Sequence, residues 1–143
     1  MIIVYYIILY IQKEYMMKFG NILIGFFALL FFMAQIFNLY DGITHNDPKR
    51  VVNALYLMSI GLFMLFNLYN AMLTQSGKVV TTAMVKQQLI AAVMLFIFGL
   101  IVLIGIFIYD LGILTKIVQF MLILSVFFEI RTRINQLNGK NKR

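Results

Sequence analysis

Long apolar runs separated by short polar segments dominate the chain. The longest run extends from Leu89 to Tyr109 and contains no charge and no Asn, Gln, Ser or Thr. At ~1.5 Å rise per residue, such a run is long enough to cross a ~30 Å hydrocarbon core as a helix. Asp110 and Gly112 follow it, and a second apolar run ends at Ile130. Because a carboxylate is costly at mid-membrane, this stretch predicts two membrane passes joined by a tight turn.

The whole pattern predicts an all-α integral membrane protein, a four-transmembrane-helix antiparallel bundle with short loops. The membrane domain covers residues 17–134. Its four predicted spans are about 21–40, 51–73, 89–109 and 112–130.

Residues at the ends of the runs predict where the helices start and stop. Asp47 followed by Pro48 is typical of an N-cap and the first position of a helix. Thr81 or Thr82 can cap the third helix, which we expect to start in the aqueous phase. Gly77 is expected to end the second helix.

The first residues do not fit the span pattern. The apolar run from Met1 to Ile11 is too short to cross a membrane and has neither the charges nor the cleavage site of a signal peptide. Lys13-Glu14 can be encoded by codons that resemble a bacterial ribosome-binding sequence, and two methionines follow. One hypothesis is therefore that residues 1–16 are a wrongly assigned leader. The alternative is a short interfacial segment.

The amino-acid composition indicates that lipid surrounds this protein. Of the 143 residues, 63% are hydrophobic and 12% are charged. A soluble domain of this length could not bury so much apolar side chain, so the lipid bilayer is the first expected partner. There is no cysteine, which excludes disulfides and thiolate metal sites.

The distribution of basic residues predicts the orientation. The net charge is +7, and most Lys and Arg flank the apolar runs, so we expect no nucleic-acid partner. The positive-inside rule favours an N-in/C-in protein of the cell membrane, with residues 135–143 as a basic cytoplasmic tail. The expected inner side holds nine of the twelve basic residues: Lys13, Lys18, Lys78, Lys86, Arg131, Arg133, Lys140, Lys142 and Arg143. The expected outer side holds the other three: Lys49, Arg50 and Lys116.

Catalytic motifs are absent from the sequence. It has one histidine, and it contains no HExxH, GxSxG or P-loop pattern. His45 lies near Asp41 and Asp47, but this spacing matches no standard metal site, so a solvated loop histidine is expected. We therefore predict a protein that is not an enzyme and has no catalytic, cofactor-binding or metal site.

Polar residues within the spans are the remaining candidates for function. In the second span, Asn53, Ile60 and Asn67 recur every seven residues, and Tyr56, Phe63 and Asn70 follow three residues after each of them. Together these two rows predict an a/d seam that faces the neighbouring helices. Lys116 is expected to snorkel to the outer surface, where Asp110 offers a partner. Interhelical hydrogen bonds explain the embedded amides most simply, and a polar path for a solute is the alternative. The candidate polar residues are Gln35, Asn38, Asn53, Asn67, Asn70, Lys116 and Gln119.

Helix packing is expected to depend on large apolar side chains. No two small residues stand four apart within a span, so close contact of the glycine type is not indicated. Phe, Leu, Ile and Met should therefore fill the contacts between helices.

Two classes of function remain open. One is a non-enzymatic interaction protein, an accessory, assembly or bacteriocin-immunity-like protein that binds through its helix faces. The other is a pore-forming or transport component, either holin-like or a small carrier subunit. A homo-oligomer or another membrane protein is the partner expected for the first class.

Overall fold

The computed structural model describes the backbone of residues 2–75, 77 and 79–140. Side chains are described for residues 12–74, 77 and 79–139. Statements about the structure below concern these residues.

Four helices make up the described chain: α1 (Ile2–Thr44), α2 (Pro48–Gln75), α3 (Thr82–Ile108) and α4 (Ile113–Lys140). Each contains a segment long and apolar enough to cross a membrane. These segments are Gln12–Thr44, Pro48–Thr74, Thr82–Ile108 and Ile113–Gly139. The prediction of an all-helical membrane protein with four apolar spanning segments is therefore confirmed.

All four helices are longer than their predicted spans, and the differences at the start of α1 and the end of α4 are the largest. The first span was expected to begin near Asn21, but α1 begins at Ile2 and is ~65 Å long, about twice the hydrocarbon core. A continuous helix therefore runs through the proposed leader, whose side chains up to Ile11 lie outside the described residues. At the other end, α4 continues to Lys140 and includes most of the predicted tail. Glu129 and Arg133 form a 3.2 Å ion pair one turn apart, which supports this extension.

The predicted helix ends are confirmed in detail. The Asp47 carboxylate accepts a hydrogen bond from the backbone N–H of Arg50 at 3.2 Å, which caps α2 at Pro48. Thr81 Oγ1 accepts from the N–H of Met84 at 3.2 Å and caps α3. Gly77 adopts φ +62°, two residues after α2 ends. A glycine is favoured there because a left-handed backbone strains most other residues.

The turn between α3 and α4 also has the predicted position. Asp110 adopts φ +47° and Gly112 adopts φ +93°. Aspartate and glycine are among the residues that best tolerate these angles. Both left-handed residues stand among the four residues between Ile108 and Ile113, where α3 ends and α4 begins.

Helices α2, α3 and α4 share the buried core. Val52 of α2 packs with Val102 and Ile106 of α3 in one cluster. Phe66 of α2 packs with Ala92 of α3 and Val126 of α4 in another: together these three helices form the most buried part of the molecule.

Helix α1 is peripheral to this core. Within the part of the chain that the structure describes, α2 is the only helix that α1 contacts. Gly25 and Gly42 of α1 approach Leu68 and Val51 of α2, respectively. The other sides of α1 face outward, and they carry exposed apolar residues such as Phe27 and Phe37.

Candidate functional site

A buried hydrogen-bond node joins the three core helices. Gln119 of α4 is 1% exposed, and its Nε2 donates to the Gly99 carbonyl of α3 at 3.0 Å. Its Oε1 accepts from Ser59 Oγ of α2 at 2.9 Å. The Ser59 hydroxyl also lies 2.7 Å from the Tyr56 carbonyl of its own helix. Both ends of the amide are thus satisfied, which agrees with the structural role expected for embedded amides.

A glycine permits this node. A Cβ built on Gly99 would lie 3.1 Å from Ile123 Cγ1 and 3.5 Å from Gln119 Nε2. A cavity of about 10 Å³ remains beside Ser59 and Gln119. That volume is close to the minimum that holds one water molecule, so the node is nearly fully packed.

A second buried polar layer is less well satisfied. Both amide atoms of Asn70 are buried without a hydrogen-bond partner, and so is Oε1 of Gln88, a residue 3% exposed. Asn70 follows Phe66 by one turn and Gln88 precedes Ala92 by one turn, so both amides lie one layer beyond the Phe66–Ala92 contact. This layer is the least satisfied polar part of the described core.

Lys116 forms an ion pair at the turn between α3 and α4. Its Nζ donates to Asp110 Oδ1 at 2.6 Å and lies 5.1 Å from the centre of the Phe107 ring. This hydrogen bond and the positive charge hold the pKa of Asp110 below its ordinary value. The structure thus pairs Lys116 with Asp110, the partner expected from the sequence.

The turn between α1 and α2 holds a second charged cluster. One carboxylate oxygen of Asp41 pairs with Arg50 and the other lies 3.1 Å from His45 Nδ1. The described residues contain no group of three or more His, Asp or Glu side chains placed to hold a metal ion. Asp47, the third ligand considered from the sequence, caps α2 instead.

The two polar residues predicted in the first span do come together. Asn38 Nδ2 donates to Gln35 Oε1 at 3.1 Å, and Gln35 is 6% exposed. The pair keeps these amides bonded to each other along one face of α1.

Of the two rows of the predicted α2 seam, one faces the neighbouring helices and the other does not. Asn53 and Asn67 are exposed, whereas Tyr56 and Phe63, three residues after Asn53 and Ile60, pack against the α3 clusters. Residues spaced by seven therefore share one face of α2, on which both amides are exposed and Ile60 is half-buried beside α1. We call this face the outward stripe, and its members are Asn53, Ile60, Met64, Asn67 and Ala71.

An apolar groove runs beside the outward stripe. It lies between α1 and α2, has a volume of about 680 Å³ and is lined by residues that include Phe27 and Phe31 of α1. Ile60 and Met64 belong both to this lining and to the outward stripe. The same face of α2 thus contains two exposed amides and part of the lining of an apolar groove.

The candidate polar residues occupy separate places in the structure. Gln119 lies in the buried node, Lys116 at the α3–α4 turn, and Gln35 with Asn38 on α1. Asn70 is buried one layer beyond Phe66, while Asn53 and Asn67 face outward. No polar path connects them within the described residues.

Sequence reasoning missed several partners. Ser59 and Gln88 were not singled out, although each is a buried polar residue within a predicted span or at its edge. Gly99 carried no signal, because one isolated glycine in an apolar run does not show which side chain it will meet.

Comparison with known proteins gives no relative. No protein-family model matches the chain, and no curated protein or solved structure is significantly similar to it.

Proposed function

We propose that this chain is a non-enzymatic, multi-pass protein of the cell membrane that acts by binding another membrane-embedded protein. The outward stripe of α2 and the groove beside it form the binding surface. The helices are antiparallel neighbours in sequence order, and both termini lie in the cytoplasm.

Contacts between helices support the antiparallel arrangement. Gly25 of α1 lies against Leu68 of α2, whereas Gly42, later in α1, lies against Val51, earlier in α2. Between α2 and α3, Val52 meets Gly105 while Phe66 packs with Ala92. Such contacts are those expected of helix pairs that run in opposite directions.

The charge distribution supports the orientation. Three acidic residues lie in or next to the turns that join α1 to α2 and α3 to α4, where basic residues are close by: Asp41, Asp47 and Asp110. The loop between α2 and α3 has Lys78 and no acidic residue, and the end of α4 is strongly basic. The positive-inside rule therefore favours a cytoplasmic side for this loop and for both termini.

The exposure of Asn67 is the single observation that carries the proposal. Asn67 lies five residues from the middle of the predicted 51–73 span, ~8 Å along the helix, and so within the hydrocarbon core. The residue is exposed, and its side chain forms no hydrogen bond among the described residues. An amide facing lipid has neither a donor nor an acceptor to bond, which costs free energy. A second protein that brings a polar group to this face removes that cost.

The alternative of a pore or transport component needs a continuous polar path. In the described residues, Lys116 is neutralised by Asp110 and Gln119 is bonded within the core. No observation within a single chain therefore favours this alternative.

Photo-crosslinking at two positions of α2 tests the proposal. We expect a photoreactive residue at Met64, on the outward stripe, to give adducts with protein in the native membrane. Tyr69 is the matched control, because it is 47% exposed against 51% for Met64 but points away from the stripe. Mass spectrometry of the adducts should show protein at Met64 and lipid at Tyr69. Lipid alone at both positions would contradict the proposal.

A further inference from the structure

We propose that the partner of the outward stripe is a second copy of this chain, and that Asn67 of each copy hydrogen-bonds Asn67 of the other. This inference rests on the proposed function, since it names the protein that the stripe binds.

The membrane itself determines how two copies can meet. Copies with one topology have their α2 helices pointing in the same direction, so two α2 helices in contact are parallel. In a parallel two-stranded coil, each residue of the seam faces the same residue of the other helix. Asn53, Ile60 and Asn67 are seven residues apart, which is the spacing that keeps a seam in register over such a contact.

The chemistry of the stripe fits an identical partner. The amide of Asn67 contains a donor and an acceptor, so two such amides can satisfy each other. Asn53 and Asn67 provide this match at two levels, ~21 Å apart along the helix. No residue of the stripe is charged, so nothing in it selects a partner of opposite charge. A two-fold interface is also self-complementary by symmetry.

The peripheral position of α1 supplies an independent reason for a second copy. In the 18-residue apolar segment that could span the membrane, 11% is buried within the chain for α1 and 28% for α2. The apolar groove between these helices opens beside Ile60 and Met64 of the stripe. A second α2 helix seated on the stripe places its own apolar side chains against this groove. The packing that α1 lacks within one chain is thereby gained between two.

Disulfide trapping tests this arrangement directly, because the chain has no native cysteine. Asn67→Cys and Ala71→Cys, oxidised in native membranes, are expected to give a covalent dimer on a non-reducing gel. Ala71→Cys removes no amide, so it remains informative if Asn67→Cys folds poorly. Tyr69→Cys, on another face of the same helix, is the control and is expected to stay monomeric.

A second variant tests whether the two Asn67 amides stabilise the dimer, since disulfide trapping shows only that the two helices lie close together. Asn67→Leu is expected to weaken self-association in mild detergent by about 3-fold to 18-fold, which corresponds to the average and the largest values for hydrogen bonds between membrane helices. Sedimentation of wild type and variant gives this ratio. If Asn67→Cys and Ala71→Cys give no more covalent dimer than Tyr69→Cys, the two-copy interface is wrong. If Met64 then still forms adducts with a different protein, the proposed function stands without it. If Met64 meets only lipid, both fail.

Discussion

Replacing Gly99 with leucine is expected to destabilise the protein by about 3 kcal/mol, the upper part of the usual range for overpacking. A Cβ at this position lies 3.1 Å from Ile123 Cγ1, tighter than ordinary van der Waals contact, and the longer side chain has no space between α3 and α4. The substitution also separates the Gly99 carbonyl from Gln119, which loses its donor bond. Unfolding in mixed detergent micelles, followed by circular dichroism, measures the change.

Gly20→Leu is the matched control for this experiment. Gly20 is also helical, but a Cβ built there meets nothing within 4 Å. Its substitution should raise the unfolding free energy by about 0.5–1 kcal/mol, because glycine is a poor helix former. Equal destabilisation by both variants would show that the close approach at Gly99 does not limit the packing of α3 on α4.

Truncation of Gln119 to alanine is the second change with a large expected effect, about 2–4 kcal/mol. It removes a fully buried side chain next to an existing cavity and deletes both bonds of the node. Gln119→Leu keeps most of the volume and should cost only ~0.6–1.7 kcal/mol, the value of a membrane hydrogen bond. Ser59 then remains satisfied, because its hydroxyl also bonds the Tyr56 carbonyl.

An exposed glutamine on α3 provides the control for the loss of a glutamine side chain. Gln87 is exposed, so Gln87→Ala should change stability by less than about 0.5 kcal/mol. The same unfolding assay ranks the three variants. If Gln119→Leu were as costly as Gln119→Ala, the hydrogen bonds would dominate the node and packing would be secondary.

Helix positions and ends could be predicted from the sequence because they depend on local chemistry. Asp47 and Thr81 have the side chains that satisfy free N–H groups at a helix start, and both do so. Apolar length fixed the number of spans in the same way. The extra length of α1 could not be predicted from the sequence. The polar residues near Lys13 resemble the end of a helix, but α1 continues through them.

Which row of the α2 seam would face the core could not be predicted, for a physical reason. In a soluble protein the apolar face of a helix points inward, but in a membrane both lipid and core are apolar. The seven-residue spacing grouped Asn53 with Asn67 and Tyr56 with Phe63. It could not show that only the Tyr56–Phe63 row would pack against the buried clusters.

The close contacts at glycine were also missed. The absence of paired small residues led to the expectation that large side chains alone would fill the contacts, and this was wrong. Single glycines at Gly99 and Gly105 each bring a side chain of another helix, Ile123 or Val52, to 3.1 Å from a built Cβ. Which side chain meets an isolated glycine depends on helix rotation, and the sequence does not determine that rotation.

Four membrane crossings with both termini in the cytoplasm are the premise on which the outward stripe and its parallel pairing depend. Labelling of single cysteines by a membrane-impermeant maleimide tests this premise most directly, at His45 in the α1–α2 turn and at Val79, 87% exposed, in the α2–α3 loop. We expect His45→Cys to be labelled in intact cells and Val79→Cys only after permeabilisation. Equal labelling of both positions in intact cells would show that α2 does not cross the membrane, and would contradict the proposed topology and the interface built on it.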